Sequence, residues 1–374
     1  MDSCQVLIVG GGPAGSSCAR RLHDAGIDTI ILDKRVFPRD KVCGGWITPA
    51  VVQELDIDLA DYGHGRVLQP ITAFRTSRMG DVEIETNYGH TVSYGIRRFE
   101  FDDYLLRRSG ARLVLGTPLK TIERSADTWI INGEIQTQLL IGAGGHFCPV
   151  ARFLGVKTNE EAAVAAQEVE FEMSPEQRDA CSIRGEAPEL YFCPDMNGYG
   201  WCFRKGNFLN IGLGRLDPHS LPAHVSRFLQ SLKQSGKVAF DLSAIMRGHA
   251  YLIFRETRKN IVDDGVLLIG DSAGLAYSQS GEGIRPAIES GLLAAKAIIA
   301  ANGNYKRGSL ESYREMLTSR FQESQSTLSM RVGRHLPAAM MESLAQQLLR
   351  TRWFSRRVVL DRWFLHIHEP ALSA

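Results

Sequence analysis

The sequence predicts an α/β chain: a Rossmann-like dinucleotide-binding domain, discontinuous in sequence, with an inserted antiparallel β-sheet domain and a helical C-terminal segment. Three observations predict it. A glycine-rich turn, VLIVGGGPAG, stands near the start between an apolar strand and a helix. A second, VLLIGDSAG followed by SGEGI, occupies much of residues 266–284. Between them, from about residue 162 to 256, short stretches such as AVAAQEVEFEM, ELYFCP, GWCFRK and FLNIGLG alternate apolar and polar residues, the texture of an antiparallel sheet.

Taken in order, QVLIV (5–9) is a continuous apolar run, as expected of a parallel strand buried on both faces. Residues 14–25 put Ala14, Cys18, Leu22 and Ala25 at helical spacing, and Gly26 is a helix stop. DTIILD (28–33) is the second strand, which makes a βαβ start. GEIQTQLLIGAGG (133–145) reads as another parallel strand ending in glycines, and the 266–269 strand with a helix over 281–300 returns to the α/β texture. The first domain is expected at 1–60, 96–160 and 257–305, the β-sheet domain at 61–95 and 161–256, and the helical segment at 306–374.

The 374 residues exceed one ordinary core, in keeping with two domains. A formal charge of +1 gives no pull toward nucleic acid. The seven cysteines are odd in number and form no CxxC pair, so neither a disulfide framework nor a zinc site is indicated, and a reduced, cytoplasmic setting is expected. The ten histidines show no metal-ligand spacing, so no metal is predicted. No basic n-region with a cleavage site opens the chain, and no apolar run reaches the ~18 residues of a membrane span.

Gly10, Gly12 and Gly15 form GxGxxG, with Pro13 and Ala14 opening the helix. The glycines permit a tight turn and close approach of a pyrophosphate to the helix N-terminus. Asp33, followed by Lys34, closes the next strand about 20 residues on, where an acid accepts ribose hydroxyls and favours NAD or FAD over NADP. The second turn decides for FAD. Asp271, after Gly270, can accept from ribityl hydroxyls, and Gly281, Glu282, Gly283 and Ile284 start a helix whose N–H groups can face the flavin's pyrimidine edge.

Four stretches carry a resemblance: PRDKVCGGWITP (38–49), IRRFEFDDYL (96–105), GYGWCFRKGNFLNIGLG (198–214) and GDSAG with SGEGI (270–284). In this order they resemble the geranylgeranyl reductase family, within the flavoprotein superfamily typified by p-hydroxybenzoate hydroxylase. The resemblance implies a GR2-type FAD domain and reduction of carbon–carbon double bonds in an isoprenoid or other apolar substrate. It implies that Cys43, before Gly44 and Gly45, lies near the flavin ring, where a thiol can deliver a proton. It implies a cofactor contact from Arg97 or Arg98. Departures stand at Gly144, Ser278 and Arg204, where the family carries Asp and two prolines.

Tyr199, Trp201 and Phe203 alternate on one strand and share a face, as a substrate wall or as ordinary core aromatics. Tyr199 and Trp201 join Cys43 as candidate catalytic residues. Arg39 and Lys41 flank the cysteine turn and can meet the pyrophosphate, an acidic substrate or only solvent. Electrons are expected from NAD(P)H or a separate protein donor. Two other functions stay open: a monooxygenase acting on an aromatic or similar small molecule with NAD(P)H and oxygen, and a flavin-carrying binding protein without turnover. The stretch LAQQLLRTRWFSRRVVLDRWFLHIH (344–368) mixes aromatics with arginines. It is read either as a peripheral membrane contact or as a helix packed over the substrate domain with its arginines solvated.

Overall fold

The computed structural model describes all residues except 157–162, 218–219, 243–244, 255–258, 324–345 and 373–374. The chain divides into two compact units. The first comprises Met1–Asp40, Phe99–Ala162 and Tyr251–Ser326; the second comprises Lys41–Arg98, Ala163–Ala250 and Thr327–Ala374.

The first unit is built on an eight-stranded sheet. Its main path runs Val262–Asp263, Val266–Leu268, Ile135–Gly142, Asp2–Val9, Thr29–Asp33 and Arg112–Leu115. The last five of these are mutually parallel; the apolar runs of the first four are buried, as a sheet covered on both faces requires, and the edge strand Arg112–Leu115 is half-buried. The register aligns strand ends: Val9 pairs with Leu32 and with Gly142, and Gly142 pairs with Leu268. Each of these residues is followed by a turn or an acid singled out in the sequence. The fold therefore delivers Gly10, Asp33, Ala143 and Gly270 to one carboxyl edge, the place where open parallel sheets bind ligands.

The helix Pro13–Asp24 follows the first turn, with its last turn closed at Ala25 and Gly26 at φ +73. The helix Ile284–Ala301 packs against it at Gly291, where a Cβ would run into the Ala14 carbonyl. This helix begins at Ile284 and not at 281 as expected. Gly281 adopts φ +66, and a Cβ there would collide with the Tyr251 ring, so SGEG is a turn. Glu289 is fully buried between Arg285 (2.8 Å) and Arg320 (2.6 Å). The Arg320 contact fastens the helix Arg307–Glu323 to this unit.

The second unit carries a seven-stranded sheet in the order Arg247–Leu252, Ala163–Glu172, Phe208–Arg215, Gly198–Lys205, Glu189–Phe192, Ala73–Arg78 and Ile84–Asn87. It is mostly antiparallel, but Glu189–Phe192 runs parallel to Ala73–Arg78. A small sheet of Trp46–Ile47, Ser93–Ile96 and Leu68–Ile71 accompanies it. One face of the large sheet, with Val169, Cys202, Leu209, Ile211 and Leu213, packs under the helix Leu221–Gln234. That helix interrupts the antiparallel texture expected of 162–256. Its signal was present, since Leu221, Val225, Phe228 and Leu232 are spaced for one buried helical stripe.

The boundaries differ from those drawn on the sequence. Residues 41–60 belong to the second unit, because the Trp46–Ile47 strand pairs with Ser93–Ile96. Residues 306–374 do not form one body: the helix Arg307–Glu323 belongs to the first unit, and the described residues from Gln346 on belong to the second. The expected borders at 160/161 and 256/257 lie outside the described residues, as do Leu344 and Ala345. The C-terminal helical segment continues as a turn at Arg352–Phe354 and a π-helix at Ser355–Phe364. Among the described residues no helix is long and apolar enough to cross a membrane.

Candidate active site

In the first unit the two glycine turns meet. Gly10 has φ +120, and a Cβ there would collide with the Ala143 carbonyl, so only glycine lets the turn close on the neighbouring strand end. Gly270, at φ +62, lies against Ala14, and its N–H donates to Ser290 Oγ at 2.8 Å. The helix Pro13–Asp24 has Gly12 at its N-cap and no side-chain cap. A Cβ on Gly12 would meet only Arg39 Nη2, at 3.6 Å. Arg39 is itself held by the buried Asp102 at 3.2 Å. An uncapped helix start with an arginine beside it fits a pyrophosphate.

Asp33, expected to accept ribose hydroxyls, takes two main-chain donors. Its Oδ2 accepts from Gly11 N–H and its Oδ1 from Arg35 N–H, both at 2.8 Å. The acid thus ties the end of its strand to the glycine turn. Each oxygen keeps a lone pair for a ribose hydroxyl. Lys34 beside it is exposed. At the second turn, Asp271 Oδ1 stands 3.3 Å from where a Cβ of Gly283 would lie. Gly283 is the N-cap of the helix Ile284–Ala301 and carries no side-chain cap, while Glu282 accepts from Arg285 N–H at 2.8 Å. Asp271 and this helix start therefore share one spot. These residues fit FAD: a cradle that a Cβ would fill, an uncapped helix for phosphate, and two acids for hydroxyls.

In the second unit the site is the sheet face opposite the helix-covered core. The Cys43–Gly45 turn lies on it. Gly45 has φ +69, and a Cβ would collide with the Ile96 carbonyl and approach Lys205 Nζ to 2.7 Å. A Cβ on Gly44 would come within 3.2 Å of the Phe203 ring. Lys205 is almost fully buried and donates to Gly44 O and Ile96 O, both at 2.9 Å, and to Glu170 Oε1 at 2.6 Å. Its three protons have three acceptors. Asn210, also buried, donates to Cys43 O at 3.2 Å and accepts from Trp201 Nε1 at 2.6 Å. Glu168 accepts the Cys43 N–H at 2.5 Å. The turn is therefore held through three main-chain groups by side chains that reach up from the strands below.

Cys43 is partly buried. Burial pushes its thiol above the ordinary value, while the Arg98 guanidinium acts in the opposite sense, by charge and by hydrogen bond. Burial also raises the Glu168 carboxyl to about 7, against the Cys43 N–H, Lys205 and Asn210, which favour its anion. Of the two candidate arginines, Arg98 bears on Cys43, whereas Arg97 pairs with Glu170 at 3.3 Å and stacks over Phe208 at 3.7 Å. Lys41 meets His249 at 2.8 Å.

Tyr199, Trp201 and Phe203 do share the face, in a continuous aromatic wall. Tyr199 and Trp201 lie 6.0 Å apart, Phe203 packs on Trp46 at 4.9 Å, and Phe364 of the π-helix reaches Tyr199 at 5.2 Å and Trp46 at 5.7 Å. The C-terminal segment thus packs over the second unit. Ser355, Val359, Leu360 and Phe364 turn inward, and Arg352, Trp353, Arg357 and Arg362 turn outward. Glu168, Lys205 and Asn210 join the site without having been expected there. Asn210 is a single polar residue in the apolar run FLNIGLG, whereas Glu168 in QEVEFE and Lys205 in FRKGN stand among other polar residues and carry no such signal.

Known proteins resemble the chain in sequence and in fold. Residues 3–55 match the model of the FAD binding domain family. The chain is 30% identical over 322 residues to a menaquinone reductase of Mycobacterium tuberculosis, covering 79% of this chain and 77% of that protein. It is 28% identical over 327 residues to the chloroplastic geranylgeranyl diphosphate reductase of Oryza sativa subsp. japonica, covering 81% and 68%. A geranylgeranyl bacteriochlorophyll reductase-like protein of Thermoplasma acidophilum shares the fold, with a TM-score of 0.73, 21% identity, and coverage of 93% and 88%. With its two glycine turns on one sheet edge and its cysteine turn on an aromatic sheet face, the chain belongs to the geranylgeranyl reductase family of FAD-dependent oxidoreductases.

Proposed function

We propose that the chain reduces carbon–carbon double bonds of an isoprenoid or similarly apolar substrate. The observation that carries the reading is the aromatic wall of Trp46, Tyr199, Trp201 and Phe203 on the same sheet face as the Cys43 turn. Large flat rings offer a prenyl chain contact area and little competing polarity. The names of the relatives point the same way.

FAD, when bound through Gly10–Gly15, Asp33 and Asp271, supplies the hydride. Reducing an alkene takes one hydride and one proton, so the substrate face must hold an acid. Cys43 suits this, since burial keeps its thiol protonated at neutral pH. Arg98 then favours the thiolate that remains once the proton has left. Tyr199 and Trp201 orient the chain and exclude water. Electrons reach the cofactor from NAD(P)H or a separate protein donor. We also propose that the outward residues Arg352, Trp353, Arg357 and Arg362 meet a membrane surface, from which an apolar substrate would be taken.

The test is anaerobic mixing of photoreduced protein with a polyprenyl quinone or diphosphate. Reoxidation of the flavin with a product heavier by two hydrogens supports the reading. Reoxidation only by oxygen, with hydroxylation of an aromatic compound, would replace it with the monooxygenase.

A further inference from the structure

Glu168 is not explained by packing. It stands on the strand Ala163–Glu172 with its side chain 4% exposed, on the sheet face that carries Trp201 and Asn210. One oxygen, Oε1, takes the Cys43 N–H. The other, Oε2, is buried and has no hydrogen-bond partner. A buried carboxylate oxygen left so is costly, and the cost falls when that oxygen carries a proton.

The groups around it do not supply a cation of its own. Lys205 is engaged with Glu170, Gly44 O and Ile96 O. Glu170, two residues along the same strand, adds a like charge and is paired with Arg97 as well. Asn210 divides its donors between Cys43 O and Glu170, and its support for the Glu168 anion, like that of Lys205, is outweighed by burial. Arg98 bears on the Cys43 thiol. On the edge strand Arg247–Leu252, His249 meets Lys41, and Arg247 is the other charged group of that strand. Across the sheet, Gly212 leaves room for the glutamate: a Cβ there would come within 2.8 Å of Glu168 Cβ.

We propose that Glu168 is the proton reserve of this face: it fixes the Cys43 turn through Oε1 and stores on Oε2 the proton that restores the Cys43 thiol after each reduction. The balance is simple. The alkene gains a hydride from the reduced flavin and a proton from the Cys43 thiol. The thiolate takes a proton from the Glu168 carboxylic acid through an intervening water, since Oε2 has no direct partner, and the Glu168 carboxylate regains one from solvent. Glu168 is thus a positioning and relay residue, acting through Cys43. The inference rests on the reductase reading above. Its raised carboxyl, near neutrality, suits a group that must both give and regain a proton.

The test pairs infrared difference spectroscopy of the FAD-loaded protein with pH profiles of substrate-driven flavin reoxidation. In the native protein a protonated-carboxyl band should titrate near neutral pH, vanish in Glu168→Gln and persist in Cys43→Ser. Reoxidation should slow about 100-fold in Glu168→Gln, lose its neutral pH limb, and recover in part in Glu168→Asp. The proposal fails if the band is untouched by Glu168→Gln, or if that variant is slow yet keeps the native pH limb, as a purely structural role would give. A band that titrates as expected while no alkene is reduced would overturn the reductase reading and the relay role, and leave only the proton on Oε2.

Discussion

Gly270 lies against Ala14 so closely that a Cβ on the glycine would stand 3.0 Å from the alanine's. Two turns at opposite ends of the chain meet there because Val9 and Leu268 end level, both paired to Gly142 on the strand between them. Gly270 also needs its left-handed φ of +62. Gly270→Val is therefore expected to destabilise the protein by about 1–3 kcal/mol and to weaken FAD retention about tenfold or more. Gly303→Ala is the control, with φ +82 but nothing within 4 Å of the added atom. It should strain the backbone and keep its FAD. Equal flavin content in both purified variants would contradict the account of the turn.

Lys205→Met tests what holds the cysteine turn. The change keeps the length of the buried side chain and removes the ammonium from Gly44 O, Ile96 O and Glu170, of which Glu170 keeps Arg97 and Asn210. A loss of about 2–3 kcal/mol in urea unfolding is expected, because two main-chain carbonyls lose their buried donor and Glu170 loses one of its two cations. A loss below about 1 kcal/mol would mean that the network does not organise the turn.

Glu168 makes a prediction about stability and pH. Its carboxyl is raised from 4.5 to about 7 in the fold. The folded chain therefore holds a proton that the unfolded chain releases between those values. The contribution is fully present below pH 4.5 and is lost as pH rises through 7. Relative to Glu168→Gln, native stability should fall by on the order of 3 kcal/mol across that window. Urea midpoints of both proteins at several pH values decide it, and a constant offset between them would refute the raised carboxyl.

Much of the nucleotide-binding half was legible in the sequence, and for one reason. Buried parallel strands such as Val6–Val9 and Val266–Ile269 are unbroken apolar runs, and the glycines after them are required by backbone geometry. The second unit was less legible. The helix Leu221–Gln234 was absorbed into a strand-like neighbourhood although its stripe is regular. The small sheet at Trp46–Ile47 is too short to announce itself, which moved the domain boundary. Cys43, Trp201 and Phe203 were visible as a motif. Glu168, Lys205 and Asn210 were not, because their partners lie on other strands or on the turn, and only the fold brings them to one face.

The outward face of the C-terminal segment predicts binding to anionic vesicles. Arg357→Glu with Arg362→Glu should lose on the order of 1 kcal/mol per site, and added salt should mimic the change. Trp353 is 67% exposed and should shift its fluorescence on binding. Cosedimentation with phosphatidylglycerol vesicles checks it. No binding at low salt would assign the segment to packing alone, through Phe364.

Both glycine turns are expected to close on one FAD. Gel filtration of the protein reconstituted with FAD, followed by its visible spectrum, tests it most directly. The account predicts one flavin per chain, retained through the column in the native protein and largely lost when Gly12 and Asp271 are both replaced. A native protein that emerges colourless after incubation with FAD would contradict it.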